Sequence, residues 1–426
     1  MAPFSTAVVL SPHSQHAGVV AVVAPYGDGG RHAREYARHG WESVAVTLPA
    51  RSLPGHHRGS ADLTGYRHEV VHRGDLHRTL EQLRPLGVAA VVAGSGLGVA
   101  LADHLAEGLG LPGNDPTTSA LRTDRGLQAA ALGDIGIAVP RSLRTDNLLV
   151  AQRWAAFSSM PAYVVAAADS SVTAPPAVCR NASDISNAWR RIRQAARHHT
   201  GGTEVVIQEH LPGDTQYIVH TVSYPTTAEP TVTAIWAEHR TSRHVHARSD
   251  LMDRKDLLTR RLCRYTLRAV DVLGIDTGPA RIRIVCCADR GLTLLSARTY
   301  AQPSPTDGIA HHTTDHIQAA VRAATAGITP PSAAEPHRDR LVTRISLISP
   351  HDGTLDADLL HAVTALPTVV HVGAGLVAGA HVRQTIDRAT SPGELVLSSS
   401  SPEAIGEDVQ AIRSMETSGL YIKAAR

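Results

Sequence analysis

The sequence is almost without lysine. Of its 41 basic residues only Lys255 and Lys423 are lysines, so nearly every permanent cation in the chain is an arginine. Cysteine is scarce as well. The four cysteines, two of them adjacent at Cys286 and Cys287, are too few for a disulfide scaffold in a chain of 426 residues. This use of cysteine predicts a protein of the reducing cytoplasm.

Three further absences exclude whole classes of protein. No apolar run reaches the ~18 residues of a membrane-spanning helix, and residues 1–16 lack the basic and apolar stretches of a secretory signal. The formal net charge is only +2, which offers no basic footprint for nucleic acid. Because 43% of the residues are apolar and only 19% are charged, the chain can bury a core. We therefore expect a folded cytoplasmic protein with neither a membrane nor a nucleic-acid partner.

The first third of the chain alternates between buried strands and helices. Residues 19–24 form a short, continuous apolar run, which is typical of a strand covered on both faces, and residues 31–39 follow as a helix. This rhythm predicts a parallel sheet covered by helices. Further on, residues 281–287 and 293–297 are predicted to pair as antiparallel strands. The proline-rich segment 329–336 is the clearest linker.

Two local motifs are weak on their own. The glycine-rich segment 94–98 leads from a strand into a helix, where helix amides could hold a phosphate, but it lacks the full spacing of a dinucleotide fingerprint. A tight turn is the preferred interpretation. The segment His244-Val-His246 could place two imidazoles on one face of a strand as zinc ligands, but three arginines nearby would repel a cation. It is interpreted as a solvated or anion-facing loop.

Five segments of the chain carry a family resemblance; they are residues 109–140, 206–219, 273–279, 293–298 and 393–422. The second contains Glu209 and Leu211 and is similar to an adenine-binding hinge. The third and fourth are similar to the run before a first metal-ligand strand and to a second such strand. In this order and spacing, the five segments resemble the ATP-grasp superfamily, most closely its amino-acid and peptide branch of carboxylate–amine ligases.

The resemblance implies a fold that is α/β and α+β in class. The implied parts are a parallel α/β N-terminal domain, a small lobe with an approach helix, a large lobe, and a small C-terminal α/β domain, at residues 1–115, 116–215, 216–330 and 337–426. It also implies ATP and magnesium as cofactors and a substrate carboxylate that is phosphorylated before an amine attacks it. Arg125, Glu209 and the backbone near Leu211 match the family's nucleotide-binding positions.

The family's phosphate-binding positions are only partly kept. Two lysines usually hold the phosphates; one position reads Arg125, which keeps the charge, but the other reads Ala166. The flap that covers the phosphates through its backbone amides is usually rich in glycine. Here the segment 169–176 has no glycine and ends in two prolines, which have no amide hydrogen to donate.

The family's metal-ligand positions are replaced. The His-x-Glu step of the first strand reads Arg281-Ile-Arg283, and the Glu-x-Asn-x-Arg step of the second reads Leu294-Leu-Ser296-Ala-Arg298, so only its arginine is retained. Two arginines at the place of the ligands would repel magnesium by several kcal/mol at short range. We therefore expect no metal site and no working ATP or magnesium cofactor. Instead, Arg281, Arg283 and Arg298 are predicted to converge on an anion, such as a substrate carboxylate.

Three functions stay open at this point. In the first, the cleft serves magnesium-independent binding or chemistry on a small anionic, amino-acid-like substrate of specialised, natural-product metabolism. Its candidate acid–base groups are His210, His220 and His244, although for each of them a plain surface role is the more frequent explanation.

The other two functions differ in whether chemistry is retained. The protein could be a non-catalytic partner of an active ATP-grasp ligase, either paired with that ligase or as a homodimer, since many relatives pair. Or it could still be an ATP-dependent ligase that forms an amide or peptide bond. That last option needs Glu209, Asp214, Asp250 or Asp253 to supply the metal site, and their spacing gives it no support.

Overall fold

The computed structural model describes residues 18–27, 30–50, 53, 62–172, 174–211, 213, 215–225, 229–241, 245–253, 255–301, 316–325, 340–373, 375–387 and 390–423. The predicted linker at residues 329–336 lies outside them. None of the described helices is long and apolar enough to cross a bilayer.

The N-terminal part is a parallel sheet between layers of helices. Its elements are β1 (Gly18–Val23), α1 (Gly30–Arg38), β2 (Trp41–Thr47), β3 (His68–Val71), α2 (Leu76–Leu83), β4 (Val88–Ala93) and α3 (Val99–Leu109). The strands lie in the order β3-β2-β1-β4, and all pairs are parallel. Val20 and Val22 of β1 pack on the side of Tyr36, whereas Val19 and Val23 face the opposite core. The apolar run therefore forms a strand buried on both faces, as predicted.

The glycine-rich turn after β4 serves packing. A side chain at Gly98 would collide with the backbone oxygen of Val23, and one at Gly94 would collide with Pro25. The Ser95 hydroxyl donates to the Ala24 carbonyl oxygen at 2.7 Å, which fixes the turn. Close approach of the backbones explains these glycines without a phosphate.

The small lobe is an antiparallel sheet with helices on one side. Its elements are α4 (Ser119–Thr123), α5 (Arg125–Asp134), β5 (Ser142–Thr145), α6 (Leu148–Ser158), β6 (Tyr163–Ala167), β7 (Ala177–Cys179), α7 (Ala182–Thr200) and β8 (Val205–Glu209). The strands lie in the order β5-β8-β6-β7. Trp189 and Ile192 of α7 pack on β6 and β8 and leave the other face of the sheet toward the cleft. The sequence analysis did not predict α6, which begins after Asn147, whose side chain caps it.

The large lobe is built on a mostly antiparallel sheet. Its elements are β9 (Thr215–Ser223), β10 (Thr231–Arg240), β11 (His246–Leu251), α8 (Leu257–Val272), β12 (Gly278–Cys287), β13 (Gly291–Arg298) and α9 (His316–Thr325). Strand β11 corrects the predicted loop at His244–His246. His246 begins the strand, is 6% exposed, and bonds to the hydroxyls of Ser346 and Ser249 at 2.7 and 2.8 Å, whereas His244 lies outside the described residues.

The C-terminal residues extend the same sheet. Their elements are β14 (Leu341–Ser346), β15 (Gly353–Leu355), α10 (Ala357–Thr364), β16 (Val369–Val372), β17 (His381–Val382), β18 (Glu394–Ser399), α11 (Pro402–Ser418) and β19 (Tyr421–Lys423). Because β14 pairs with β11, one eight-stranded sheet runs in the order β13-β12-β9-β10-β11-β14-β18-β16. A small sheet, β17-β15-β19, lies beside it. The regions predicted as large lobe and C-terminal domain thus share a sheet, and their division into domains stays a prediction.

Candidate functional site

A cleft of about 310 Å³ lies between the small-lobe sheet and the large-lobe sheet. Its lining residues come from both sheets and from the segment that joins β8 to β9. They are Arg125, Val164, Ala166, Pro176, Val178, Gln208, Glu209, His210, Leu211, Gly213, Gln216, Arg240, Arg283, Leu295, Ser296 and Arg298.

The large-lobe wall of the cleft is cationic. Arg283 lies opposite Ser296 in the β12–β13 pair, and Arg298 lies two residues further along β13, so all three face the cleft. A bulge follows Arg283, and it turns Leu295 toward the cleft while Leu294 stays in the core. Arg240, at the end of β10, adds a third arginine; the sequence analysis counted it among the three arginines near His244 and His246 but did not assign it to the cleft.

A buried carboxylate holds Arg281 and Arg283. Glu238 of β10, which is 4% exposed, lies 3.5 Å from Nη2 of Arg281 and 3.9 Å from Nη2 of Arg283. Arg281 is opposite both Arg298 and His220 in register and does not line the cleft, whereas Arg283 and Arg298 do. Of the three predicted anion-binding arginines, two therefore share the cleft wall, and Arg281 sits deeper against Glu238.

The small-lobe wall carries no charge along β6 and β7. Val164 and Ala166 of β6, with Pro176 and Val178, form this side of the cleft. Ala166 occupies the position where the resemblance leads one to expect a lysine. It is 3% exposed and pairs with Val206 in the sheet. Strand β6 contains no basic residue, so no neighbour on this strand supplies a cation in its place.

The backbone amides of the flap segment, residues 169–176, form hydrogen bonds within the protein at three described positions. The Ser170 amide donates to the Thr123 carbonyl oxygen at 2.7 Å, and the Ser171 amide donates to Oδ1 of Asp169 at 2.8 Å. The Val172 amide donates to the Asp169 carbonyl oxygen at 3.3 Å. These three amides are therefore engaged within the protein and do not point at a phosphate position.

Arg125 keeps its charge but is tied to the backbone. Its Nη1 donates to the carbonyl oxygens of Ala167 and Asp169 at 2.6 and 3.1 Å. Burial, with help from the nearby Arg298, lowers the pKa of Arg125 to about 10, so the guanidinium stays protonated at neutral pH. Arg125 thus extends the positive wall of Arg298 and, at the same time, fixes the end of β6.

Glu209 is held by two arginines. Its carboxylate accepts from Nη1 and Nη2 of Arg290 at 3.0 and 2.9 Å, and from Nε and Nη2 of Arg141 at 3.4 and 3.3 Å. Burial raises the pKa of Glu209, but the hydrogen bonds from Arg290 and Arg141 outweigh it, so this pKa lies below its usual value. Because Arg290 lies between β12 and β13, the pair joins the small lobe to the large lobe.

The two candidate histidines that the structure describes, His210 and His220, do not lie together. His210 lines the cleft next to Glu209 and Leu211, and its backbone amide donates to the Ala162 carbonyl oxygen. His220 is buried behind the large-lobe wall, with its ring 4.6 Å from that of His316. Burial, together with His316 and Arg281, lowers the pKa of His220 well below its usual value, which makes it neutral near pH 7. His244 lies outside the described residues.

The residues present do not fit a magnesium ion. Within the described ranges, no group of three or more His, Cys, Asp or Glu side chains could hold a metal. Asp250 is bound to His239, Arg248 and Thr343, and Asp253 accepts the Lys255 amide, while Asp214 lies outside the described residues. Of the positions where the family has metal ligands, Arg283 and Ser296 line the cleft, and Leu294 lies in the core.

Some residues of the site could not be found from the family's motifs. Arg240, Glu238 and Arg290 lie in segments that the resemblance does not cover. Glu238 and Arg240 lie two residues apart in β10 and hence on one face, a spacing that can be read from the sequence. No comparable signal pointed to Arg290, which follows a turn at Asp289.

Comparison with known proteins identifies the fold. No protein-family model matches the chain. It is 23% identical over 361 residues to dapdiamide A synthase of Enterobacter agglomerans, an alignment that covers 82% of this chain and 84% of that protein. The L-amino acid ligase of Bacillus licheniformis superposes with a TM-score of 0.70 at 16% identity, over 93% of this chain and 97% of that one.

A second solved structure agrees. The N5-carboxyaminoimidazole synthase of Aspergillus clavatus, in complex with ADP and an aminoimidazole ribonucleotide, superposes with a TM-score of 0.67 at 11% identity, over 95% of this chain and 99% of that one. The class of protein follows: the chain has the ATP-grasp fold. Its resemblance to the amino-acid and carboxylate–amine ligase branch of that superfamily is confirmed.

Proposed function

We propose that this protein acts in specialised, natural-product metabolism. In this proposal its ATP-grasp cleft serves magnesium-independent binding of, or chemistry on, a small anionic, amino-acid-like substrate. The similarity to dapdiamide A synthase supports the metabolic setting, because that relative is a natural-product synthase. The positive charge of the cleft supports the binding of an anionic substrate without magnesium.

The observation that carries the proposal is the exchange of metal-ligand positions for arginine. A carboxylate ligand serves an anionic substrate only through the cation between them, whereas an arginine binds the anion directly through paired hydrogen bonds. Arg283 and Arg298 face the cleft from neighbouring strands, and Arg240 stands near them. The buried carboxylate of Glu238 offsets part of this positive charge, so the arginines can lie close together in the folded protein and still face an anion in the cleft.

The phosphate-binding side supports the same conclusion. Ala166 supplies no cation, and the amides of residues 170–172 are engaged inside the protein. ATP bound here would have its phosphates held by the large-lobe arginines and by Arg125, which already donates to two backbone carbonyl oxygens. We therefore expect weak binding of ATP and ADP that magnesium does not improve.

The size and polarity of the cleft suit an amino-acid-like ligand. A volume of about 310 Å³ accommodates a single amino acid or a short peptide. Beside the arginines, Gln208 and Gln216 offer neutral amides that can accept from an ammonium group or bond to an amide. A carboxylate at Arg283 and Arg298, with the rest of the ligand toward Gln208 and Gln216, uses both features.

The second candidate is an active ATP-dependent ligase, which the ligase relatives favour. The third is a non-catalytic partner of such a ligase, which keeps the fold and has lost the chemistry. The ligase requires magnesium-dependent ATP turnover. The partner requires neither turnover nor a small ligand, and it predicts a stable complex with an active ATP-grasp ligase.

Calorimetry on the full chain separates these candidates. ATP is titrated with and without magnesium, and a panel of amino acids and dipeptides is titrated into the wild type, Arg283→Glu and the control Arg197→Glu, an exposed arginine of α7. The proposal expects amino-acid or dipeptide binding that Arg283→Glu abolishes and the control retains. Micromolar ATP binding that strengthens with magnesium would overturn the proposal in favour of the ligase. Absence of any small-molecule binding would overturn it in favour of the partner.

A further inference from the structure

A second concave site lies on the opposite face of the large-lobe sheet from the cleft. Helix α8 packs on that face through Leu262 and Ala269, and beside it is a groove of about 350 Å³. We call it the α8 groove. Its lining residues are Gly136, Ile137, Ala138, Arg261, Arg264, Tyr265, Arg268, Arg290, Gly291 and Leu292.

The α8 groove is lined by three exposed arginines of one helix. Arg261, Arg264 and Arg268 are separated by three and four residues, so they lie on the same face of α8, and Tyr265 lies between them. They extend over about 10 Å of helix. All three are exposed, and none forms an ion pair or a hydrogen bond with the residues that the structure describes.

This arrangement contrasts with other arginines of the molecule. Arg122 is buried against Asp103, Arg144 pairs with Asp124, and Arg344 pairs with Glu394. Like charges at adjacent helical turns repel and lower the stability of a helix. In a chain whose formal net charge is only +2, three arginines on one helix face that have no ion-pair partner in the described part of the chain are a local concentration of charge.

The floor of the α8 groove is made of small residues, and a hydrogen bond holds Tyr265 in place beside it. Gly136, Ala138 and Gly291 leave room above the backbone, so a ligand can approach between the arginines and the floor. The Tyr265 hydroxyl donates to the Ala138 carbonyl oxygen at 2.8 Å, which holds the ring against the floor. The groove is thus a shaped recess beside a row of guanidinium groups.

Arg290 connects the groove to the cleft. It lines the α8 groove, while its guanidinium binds Glu209, which lines the cleft. An anion in the groove attracts Arg290 and so competes with Glu209 for it. Binding of an anion in the α8 groove therefore weakens the contact of Arg290 with Glu209, a residue of the cleft.

We propose that the α8 groove is a second anion site, separate from the cleft, that binds a small polyphosphate compound. Guanidinium groups match phosphate oxygens in paired hydrogen bonds, and three of them in a row match several phosphates in succession. A recess favours a small molecule over a flat macromolecular surface. A row of about 10 Å is also short for a nucleic-acid backbone, whose binding rests on many phosphate contacts.

Calorimetry with inorganic tripolyphosphate tests the site on the full chain. The double substitution Arg264→Gln/Arg268→Gln removes two of the arginines and keeps good helix formers. Arg153→Gln/Arg197→Gln, two exposed arginines on α6 and α7, is the charge-matched control. We expect the α8 variant to lose affinity at the groove by at least about tenfold, because each charged hydrogen bond contributes that much or more. The control and Arg283→Glu should retain the groove site.

Four outcomes of these titrations would each count against a polyphosphate site in the α8 groove. Equal tripolyphosphate binding by the α8 variant and the wild type would overturn the proposal, as would equal loss in the control variant. Binding of a single-stranded oligonucleotide or of polyglutamate that depends on Arg264 and Arg268, without tripolyphosphate binding, would overturn the ligand class. Loss of tripolyphosphate binding in Arg283→Glu alone would assign the anion to the cleft, so the two proposals fail separately.

Thermal unfolding separates a binding role from a structural one. Without polyphosphate, the α8 variant should be at least as heat-stable as the wild type, because repulsion along α8 is reduced. Tripolyphosphate should raise the melting temperature of the wild type and leave that of the variant unchanged. A variant that is less stable in the absence of ligand would show that these arginines support the fold, which overturns the proposal.

Discussion

The two walls of the cleft differ in charge although they face the same space. The β6–β7 side of the small lobe presents Val164, Ala166, Pro176 and Val178, and its one arginine, Arg125, is tied to backbone carbonyl oxygens, whereas the large-lobe wall presents Arg240, Arg283 and Arg298. In a cleft that binds phosphates from both sides, cations are needed on both walls. The difference fits the proposed ligand, whose charge is at one end and whose uncharged part contacts the small lobe.

The largest effect we expect is acid destabilisation of the large lobe. Behind its wall lie His32, His220 and His316. Burial lowers the pKa of His32 and of His316 to about 4, and burial with the nearby His316, Arg281 and Arg344 lowers that of His220 well below its usual value. These histidines therefore stay neutral in the folded state, while the unfolded state binds protons below pH ~6.5. Stability is complete above this pH and falls toward pH 4, by about 2–3 kcal/mol for His32 and for His316 over two pH units.

Hydrogen exchange at pH 7.5 and pH 5 measures this effect lobe by lobe. Amides of β9 and α9 should lose protection before amides of β6 and β8. His316→Gln, which can still donate to the Thr221 carbonyl oxygen, should reduce the pH dependence. Simultaneous loss of protection in both lobes would contradict the assignment to the buried histidines.

The next effect concerns the carboxylate beneath the cationic wall. Glu238→Gln removes the carboxylate that Arg281 and Arg283 share, and loss of one member of a buried ion pair costs about 3 kcal/mol. Chemical denaturation measures the loss. Phosphate should restore more stability to Glu238→Gln than to the wild type, because an anion then replaces the carboxylate. Equal phosphate effects on both proteins would show that the two arginines do not reach a common anion.

A cation on the small-lobe wall should remove the asymmetry. Ala166→Lys places an ammonium group in the cleft opposite Arg283 and Arg298, and we expect ATP to bind about tenfold more tightly. Ala166→Met adds similar bulk without charge and serves as the control. An equal gain with methionine would attribute the change to packing, and no gain with lysine would mean that phosphates do not reach this wall.

The smallest effect is expected at the contact that joins the two walls. Arg290→Gln removes the main hydrogen bonds to Glu209, and for a partly exposed pair we expect a loss of about 1 kcal/mol. Because the folded-state pKa of Glu209 is lowered, this stability is present above its usual pKa near 4.5 and is lost as the pH falls through the folded value. Denaturation curves of the variant and the wild type should therefore converge below pH 4. A constant difference down to pH 3 would contradict the ionic contribution.

The sequence predicted what depends on local pattern. The valine-rich run of β1 forms a strand buried on both faces, and the two-residue spacing of Arg281 and Arg283 places both on one side of β12. The ATP-grasp fold is confirmed as well, because the order of five weak segments reflects the order of its parts. The replacement of the family's metal-ligand positions could also be recognised in the sequence, because these positions lie within short motifs.

The rest depends on contacts between distant segments. Glu238 lies 43 residues from Arg281, and Arg290 lies 81 residues from Glu209, so neither pair shows in a local pattern. The engagement of the Ser170 amide depends on Thr123, which lies in α4, 47 residues earlier in the chain. The bulge after Arg283 exchanges Leu294 for Leu295 at the cleft, and no feature of the sequence indicates it.

The pairing of β11 with β14 ties the C-terminal residues to the cationic wall of the cleft. Since β14 and β18 continue the sheet that carries Arg283 and Arg298, backbone hydrogen bonds connect the two regions without a break. Arg413 of α11 strengthens this connection by donating to the carbonyl oxygens of Ala247 and Ser346 at 2.7 and 3.1 Å. The small-lobe strands belong to a separate sheet, and the Arg290–Glu209 pair is a contact that bridges it to the larger one.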